Sequence, residues 1–403
     1  MSIEKTQPLY SMRWIMLLAL FTALGPLSID MYLPALPQMA QDFGVGTQMI
    51  ANSVPAYFLG LALGQLLYGP ISDRIGRKKP LYFGMALFAL ASLLCVYASD
   101  ASLLIAARIL QALGGCVGVV IARAAIRDCL DMQASAQAFS SMMIVMSIAP
   151  IVAPIFGAWI LHFLSWQAIF VLLMLIGLIC LGCVHFFFQE TLPVEKRLQL
   201  GVKQVLAQYG KILKDKSFRL PMLAGCLSGA AMFCYISSAA AVLMDLYGLS
   251  QQQFAYAFAL NAFGIMLLSS LNKRLVHTVS IDQRLLLGGV IQTSGALIIC
   301  VAAIIEIAPL WIVMLGLFMA VAGIGFTGPN AMALAMSKQG AHAGAASALM
   351  GSMQFACGLL GGVVLNFMHW NALINMGGLM LAFTCLGLMA IALLLKNIRP
   401  RTV

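Results

Sequence analysis

This chain of 403 residues is divided into twelve continuous apolar segments, most of them about 20 residues long, which is the length a helix needs to cross a hydrocarbon core about 30 Å thick. Hydrophobic residues make up 62% of the chain and charged residues only 9%, a composition that excludes an ordinary soluble domain. A transmembrane barrel would need strands in which apolar and polar residues alternate, and these segments are apolar throughout. We therefore predict an all-α membrane protein with twelve transmembrane helices.

The predicted helices fall into two groups of six, separated by one long charged connection. The predicted domains are 1–188, the connection 189–217, and 218–403. The predicted spans are 14–36, 49–70, 80–98, 101–123, 138–161, 166–188, 218–244, 252–272, 284–304, 308–334, 342–366 and 371–395.

The basic residues lie on only one side of this arrangement. Apart from Arg108, all of the 23 Lys and Arg residues fall in loops or at span ends that share one membrane side. Loops facing the cytoplasm carry the excess of Lys and Arg. The pattern predicts a multi-pass protein with both termini and the long connection in the cytoplasm, and topology explains the net charge of +10 without a nucleic-acid partner.

The sequence contains no motif for a resident metal, a cofactor or a catalytic centre. The ten cysteines are scattered, mostly within apolar segments, where thiols commonly serve as small apolar groups. The GxxxxGK[ST] phosphate loop, HExxH and GxSxG are absent, and the histidines show no ligand spacing. We expect neither an enzyme nor a metal site, and no cofactor beyond a proton gradient.

Two charged residues lie inside predicted spans, Asp30 in the first and Arg108 in the fourth. A charge in the membrane core costs about 2.5 to 3.5 kcal/mol on insertion scales, so each needs a reason. At 1.5 Å per residue both lie about 10 Å from the same membrane face. We expect the two side chains to meet. The pair either locks two helices together or forms a site at which Asp30 takes up and releases a proton.

Further polar residues inside the spans are candidates to line a central cavity. Any one of them could instead hold two helices together by a hydrogen bond, at well under 2 kcal/mol. The candidates are Tyr32, Tyr57, Gln111, Tyr235, Asn261, Asn330 and Gln354.

The turn between the second and third spans reads GPISDRIGRKK and must lie at a membrane face because of its charges. It resembles the loop that marks the major facilitator superfamily of secondary transporters. The resemblance implies two pseudo-symmetric six-helix bundles around a cavity. It also implies a gate in which Asp73 faces the N-terminus of the eleventh helix and Arg77 reaches Asp128. The residues that match the motif are Gly69, Asp73, Arg74, Gly76, Arg77 and Lys78.

The second half carries only a degenerate copy of this turn. Asn272, Lys273 and Arg274 occupy the corresponding place, but the acid and the following Gly-Arg pair are missing.

Two further motifs resemble those of exporters in the same superfamily. Arg108, Gln111 and Gly114 match the RxxQxxG pattern of the fourth helix, in which the arginine is linked to proton transfer. The fifth helix resembles the proline and glycine motif of drug exporters, although alanines replace two of its glycines. Its matching residues are Pro150, Pro154 and Gly157.

Together with SIDMYLP, SWQAIF and QETLP, these motifs resemble the Bcr/CflA group of bacterial drug exporters. The resemblance implies a monomeric antiporter of the bacterial inner membrane that expels amphipathic antibiotics, such as phenicols or bicyclomycin, in exchange for protons. Two alternatives stay open: a proton-coupled transporter of a small metabolite (a peptide, a sugar or a cysteine-like compound), and a membrane enzyme or receptor.

Overall fold

The computed structural model describes residues 12–197, 201–305, 308–340 and 343–398. Within these residues all regular structure is helical, and twelve helices are long and apolar enough to cross a membrane. The prediction of an all-α membrane protein with twelve spans is confirmed. The helices are α1 (Met12–Asp42), α2 (Thr47–Ile75), α3 (Lys78–Val96), α4 (Ala101–Cys129), α5 (Met132–Phe163), α6 (Gln167–Phe186), α7 (Lys216–Leu246), α8 (Gln251–Arg274), α9 (Ile281–Ile304), α10 (Leu310–Met336), α11 (Ala343–Asn366) and α12 (Ala372–Ile398).

Helix α1 is broken just after Asp30. Its regular α-helical part ends at that residue, and a short 3₁₀ turn, Leu33–Ala35, precedes a last helical segment, Leu36–Asp42. Pro34 and Pro37 stand at the starts of these two pieces and lack the N–H that a continuous helix needs. The break places Asp30 at the end of a helix inside the bundle.

Helix contacts within the first six helices recur within the last six. α2 and α3 pack on α4, α3 packs on α6, and α1 packs on α4 and α5. The same pairs, shifted by six helices, are in contact in the second half: α8 and α9 pack on α10, α9 packs on α12, and α7 packs on α10 and α11. The molecule therefore consists of two pseudo-symmetric six-helix bundles. The domain limits 1–188 and 218–403 stay predictions.

The two halves meet through α2 against α11 and through α5 against α8. We call the end of the molecule that carries Arg77, Arg127 and Arg197 the basic end. At the opposite end the halves are in contact: the 3₁₀ turn of α1 packs on α8, and Pro55 of α2 lies against Gly362 of α11. At the basic end a cavity of about 310 Å³ lies between the halves. The described structure is thus closed at the opposite end and hollow at the basic end.

The connection between the halves contains structure of its own. It includes a short 3₁₀ turn, Val194–Lys196, and a helix, Val202–Lys214, which we call the linker helix. The Tyr209 hydroxyl of the linker helix donates a hydrogen bond to the Leu66 carbonyl of α2 at 3.2 Å. The linker helix also packs on α7 and α11 of the second half, so it contacts both halves.

Candidate functional site

Arg108 is fully buried in the first half, between two aromatic rings. Its guanidinium carbon lies 4.3 Å from the ring centre of Tyr32 and 4.2 Å from that of Tyr57. One of its nitrogens donates to the Ser28 carbonyl at 2.8 Å, and another donates to the Gln111 side-chain oxygen. Ring faces and carbonyl oxygens both attract a cation. The two rings and the carbonyl oxygens therefore stabilise the guanidinium charge, as a carboxylate would in an ion pair.

Asp30 does not pair with Arg108, so the expected contact between the two side chains is wrong. The guanidinium bonds instead to the backbone of Ser28, two residues before Asp30. The reason is rotational: equal depth in the membrane does not make two side chains point at each other, and residues two apart on a helix face different directions. The sequence predicted correctly that Asp30 and Arg108 lie in the same region, but the two side chains do not form an ion pair.

The Asp30 carboxyl group lies just before the 3₁₀ turn that packs on α8 of the second half. It is 4% exposed. Among the described residues it has neither a hydrogen bond nor an ion pair. In the second half, Asn261 of α8 donates to the Tyr235 hydroxyl of α7 at 2.9 Å. Asp30 is thus a buried carboxyl group at the contact between the halves.

The predicted cavity residues separate into two inner clusters and two outliers. Tyr32, Tyr57 and Gln111 surround Arg108, whereas Tyr235 and Asn261 bond to each other in the second half. The two outliers are Asn330 and Gln354.

Neither outlier joins the inner clusters. Asn330 donates to the side-chain oxygen of Asn272 at 3.1 Å near the basic end, so its assignment to the central cavity is wrong. Gln354 is exposed and lies against Gly229 of α7.

The exporter motif of α5 touches the break in α1. Pro150 and Pro154 both lie inside a helix that continues without interruption. Gly157 packs on the backbone carbonyl of Met31, the residue after Asp30. A side chain at position 157 would collide with that carbonyl. The close approach requires glycine and connects α5 mechanically to the position of Asp30.

A charged cluster around Arg77 occupies the basic end of the first half. The Arg77 guanidinium donates to Asp128 at 2.8 Å, to Asp73 at 2.6 Å and to the Ser72 hydroxyl at 2.7 Å. The contact predicted between Arg77 and Asp128 is therefore present. Burial lowers the pKa of Arg77, but the two carboxylates raise it by more, so the guanidinium stays charged. The gating role of the cluster stays a prediction.

Glu190 completes this cluster from the segment after α6, and its role was missed in the sequence. Its carboxylate accepts from the backbone N–H of Arg77 at 2.8 Å and of Lys78 at 3.2 Å, at the start of α3. Burial raises the pKa of Glu190, but these N–H groups and that of Leu192 lower it by more, so the pKa lies below its usual range. The sequence showed only that QETLP contains an acid, and it did not indicate that this acid binds the start of α3.

Gly76 makes room for that carboxylate. Its φ of +91° lies in the left-handed region, and a side-chain carbon there would contact the Glu190 carboxylate. Gly69, by contrast, has open space where a side chain would begin. Arg74 is exposed and has no bonded partner among the described residues, as a residue that only fixes topology would.

Asp73 shares the basic-end cavity with the first residues of α11, among them Gly344 and Ala345. Its bonded partner within the described residues is Arg77, and no bond joins it to α11. The guanidinium that stands beside the start of α11 is that of Arg127, 3.6 Å from where a side chain on Gly344 would begin. The expected contact of Asp73 with α11 is absent in the described residues of this conformation.

The second half has its own buried arginine at the basic end, which the sequence did not single out. Arg284, at the start of α9, donates to the Asn272 side-chain oxygen at 2.9 Å and to the Val279 carbonyl at 3.1 Å. Asn330 donates to the same oxygen of Asn272. At the degenerate turn, Arg284 therefore takes the place of the buried arginine, ten residues beyond Arg274 in the chain. The amide of Asn272 takes the place of the acid.

The sequence matches the family model described as "Major Facilitator Superfamily" over residues 18–362. It is 35% identical over 382 residues to the "uncharacterized MFS-type transporter YdgK" of Bacillus subtilis, covering 93% of each chain. It is 29% identical over 358 residues to a "bicyclomycin resistance protein homolog" of Haemophilus influenzae, covering 89% of this chain and 90% of that one. Its fold is similar to that of a D-xylose–proton symporter, with a TM-score of 0.77, 14% identity, and 96% and 97% of the two chains covered.

Proposed function

The chain belongs to the Major Facilitator Superfamily, and from that membership we propose that it exports amphipathic drugs in exchange for protons. As a family member it is a membrane transporter of small molecules and not an enzyme. The candidate substrates are antibiotics such as bicyclomycin and the phenicols. The proposed location is the bacterial inner membrane with the basic end in the cytoplasm, because that end collects the Lys and Arg residues.

The observation that carries the proposal is the unpartnered Asp30 carboxyl group. A carboxyl group held away from water, with no cation beside it, costs less free energy when it carries a proton. In the proposed cycle Asp30 holds a proton in the conformation described here. It loses that proton when the contact with the second half opens and water, or the drug, reaches it.

We propose that Arg108 assists from α4, where it donates to the carbonyl of Ser28, two residues before Asp30. Its charge is satisfied by Tyr32, Tyr57 and the Ser28 carbonyl, so it does not hold Asp30 in the ionised form in this conformation. The Ser28 carbonyl belongs to the last turn of the helix that ends at Asp30. A movement of α1 at its proline break would change the distance between the two charges. Such a movement is the proposed link between proton transfer and alternating access.

The Arg77 cluster is the proposed gate at the basic end. It ties the end of α2, the end of α4 and the segment after α6 to the start of α3. These groups all belong to the first half or to the connection. They keep one half rigid while it moves against α11 of the other.

The test is transport by the purified protein in vesicles with an imposed proton gradient. The protein should move labelled bicyclomycin or chloramphenicol against its concentration gradient while protons flow down theirs. The Asp30→Asn variant should lose proton-driven transport by at least about 100-fold, as loss of a group that carries the coupled proton would cause. The matched control is Asp100→Asn, because Asp100 is an exposed acid at the opposite end whose role as the cap of α4 asparagine can also fill. Normal drug transport by Asp30→Asn under a proton gradient would contradict the proposal.

A further inference from the structure

The basic-end cavity contains two arginines that the proposed proton site and gate do not use. It has a volume of about 310 Å³ and lies between α2, α4, the start of α11 and the linker helix. Arg123 and Arg127 of α4 line it, together with Gln65, Tyr209 and Ser347.

Arg123 and Arg127 have no hydrogen bond or ion pair within the part of the chain that is described. The carboxylate that lines the cavity with them is Asp73, and it bonds to Arg77 at 2.6 Å. Asp128, next to Arg127 in the chain, bonds to the same Arg77 at 2.8 Å. The nearby acids are thus engaged by a third arginine, and the two guanidinium groups leave the cavity positively charged.

The start of α11 adds to this positive charge. A helix N-terminus carries about half a positive charge from its free N–H groups. The Arg127 guanidinium stands 3.6 Å from the site of a side chain on Gly344, in the first turn of that helix. A cation beside a helix N-terminus is unfavourable, and an anion placed between the two would offset both charges.

The rest of the cavity wall suits a molecule with an apolar body. Val120, Ala124, Ala345 and Ala348 contribute aliphatic surface on two sides. The volume of 310 Å³ falls at the lower end of the range for small-ligand sites, which is about 300 to 1,000 Å³. A small amphipathic acid therefore fits in both size and chemistry.

We propose that Arg123 and Arg127 bind the anionic group, a carboxylate or a phosphate, of an amphipathic molecule that enters the cavity from the basic end. The inference goes beyond the proposed function, whose candidate drugs carry no anionic group, and it rests on that function for treating the molecule as cargo. A phospholipid headgroup offers the same chemistry as a free anion, so the experiment distinguishes the two sources. Guanidinium groups form paired hydrogen bonds with both carboxylate and phosphate.

The experiment measures binding to the purified full-length protein in nanodiscs of phosphatidylcholine. The probe is radiolabelled benzoate, and benzamide, its neutral counterpart of nearly equal size, is the competitor. We expect saturable benzoate binding that benzamide does not displace. Arg123→Gln and Arg127→Gln should each weaken it about tenfold, as loss of one charge-assisted hydrogen-bonding group does. Arg274→Gln, which removes an exposed arginine at the basic end of the second half, should leave it unchanged.

A second arm tests the lipid source. Phosphatidylglycerol is added to the nanodiscs, and native mass spectrometry counts the copies that stay bound after the protein is released. Retention of phosphatidylglycerol that displaces benzoate, and that both Arg→Gln variants reduce, would identify a headgroup as the ligand. Arg123→Lys and Arg127→Lys keep the charge and should retain part of the binding, which separates loss of the site from loss of the fold.

The proposal is overturned if neither benzoate nor phosphatidylglycerol binding depends on the two arginines. It is also overturned if benzamide binds as tightly as benzoate. Proton-driven efflux of bicyclomycin is scored separately, so a failure of anion binding is distinguishable from a failure of the proposed function.

Discussion

The turn after α2 and the turn after α8 occupy equivalent places in the two halves, and each is followed by a buried arginine. Arg77 is 4% exposed and Arg284 is 6% exposed. Arg77 is bonded to two carboxylates, whereas Arg284 is bonded to the amide oxygen of Asn272 and to a backbone carbonyl. Both halves thus hold a buried arginine at the same place, but only in the first half do its hydrogen-bond acceptors carry negative charge.

The difference shows that packing of the loop does not require acids. A neutral amide holds the arginine of the second half, and we assign the carboxylates around Arg77 to the proposed gate. The buried polar residues inside the two bundles differ in the same way. In the first half they contain Asp30 and Arg108. In the second half Gln292 donates to the Ala320 carbonyl and accepts from Thr327. The charges are concentrated in one half, which we take as the half that senses protons and gates.

The largest effect on the free energy of unfolding is expected from replacing Arg77 or Arg284 separately. Arg77→Gln leaves the carboxylates of Asp73 and Asp128 without their cation. Those carboxylates are 42% and 16% exposed, so after screening the loss should be about 2 to 3 kcal/mol of unfolding free energy. Arg284→Gln removes bonds to neutral acceptors and should cost about 1 to 2 kcal/mol. Unfolding in mixed micelles measures both. Equal losses would remove the distinction between the halves.

The next effect concerns the backbone of the charged turn. Gly76→Ala forces a side chain into a left-handed conformation and against the Glu190 carboxylate, which should cost about 2 kcal/mol and separate Glu190 from the start of α3. Gly69→Ala, seven residues earlier and within α2, meets open space and should leave stability unchanged or slightly improved. The same unfolding measurement compares the two variants, and an unchanged Gly76→Ala would show that the Glu190 contact is dispensable.

A smaller effect should appear as a dependence on pH. The pKa of Glu190 is lowered in the folded protein below its ordinary value of 4.5. Its contribution is therefore fully present above that ordinary value and is lost as the pH falls through the lowered one. Because the group is partly exposed, the contribution should be about 1 kcal/mol. Thermal unfolding between pH 6 and pH 3 (roughly the range around the carboxyl pKa) should show a smaller loss for Glu190→Gln than for the parent protein. Glu195→Gln, an exposed acid nearby, should behave as the parent does.

The smallest effect is expected from giving the second half an acid. Asn272→Asp places a carboxylate 2.9 Å from Arg284 but removes the amide N–H that Asn272 donates to the Gly325 carbonyl. The two changes nearly cancel, so stability should shift by about 0.5 kcal/mol or less. Transport should slow, because a second charged latch would have to open. Faster transport with unchanged stability would contradict the assignment of gating to charged acceptors.

Much of the fold was predictable from the sequence because hydropathy alone determines which segments can cross a membrane. All twelve predicted spans correspond to helices, and the Arg77–Asp128 contact followed from the resemblance of the turn. Side-chain contacts near the helix ends were harder to predict from the sequence. Asn330, assigned to the cavity, lies six residues before the end of α10, and its side chain bonds to Asn272 near the basic end.

Contacts that depend on helix rotation or on loop conformation could not be derived. Arg108 and Asp30 share a depth, yet the guanidinium turns toward Tyr32 and Tyr57, and the sequence gives no rotation angle for α1 or α4. Glu190 reaches the start of α3 from 113 residues away in the chain. No local pattern indicates such a contact, because it is made only when three helix ends come together.

The central claim is that Asp30 carries the exchanged proton, and proton release on drug binding tests it most directly. Purified protein in weakly buffered detergent, with a pH-sensitive dye, is mixed with a saturating amount of the drug that it transports. We predict release of about one proton per bound drug from the parent protein and from Asp100→Asn, and none from Asp30→Asn, which should still bind the drug. Equal proton release by Asp30→Asn would contradict the account.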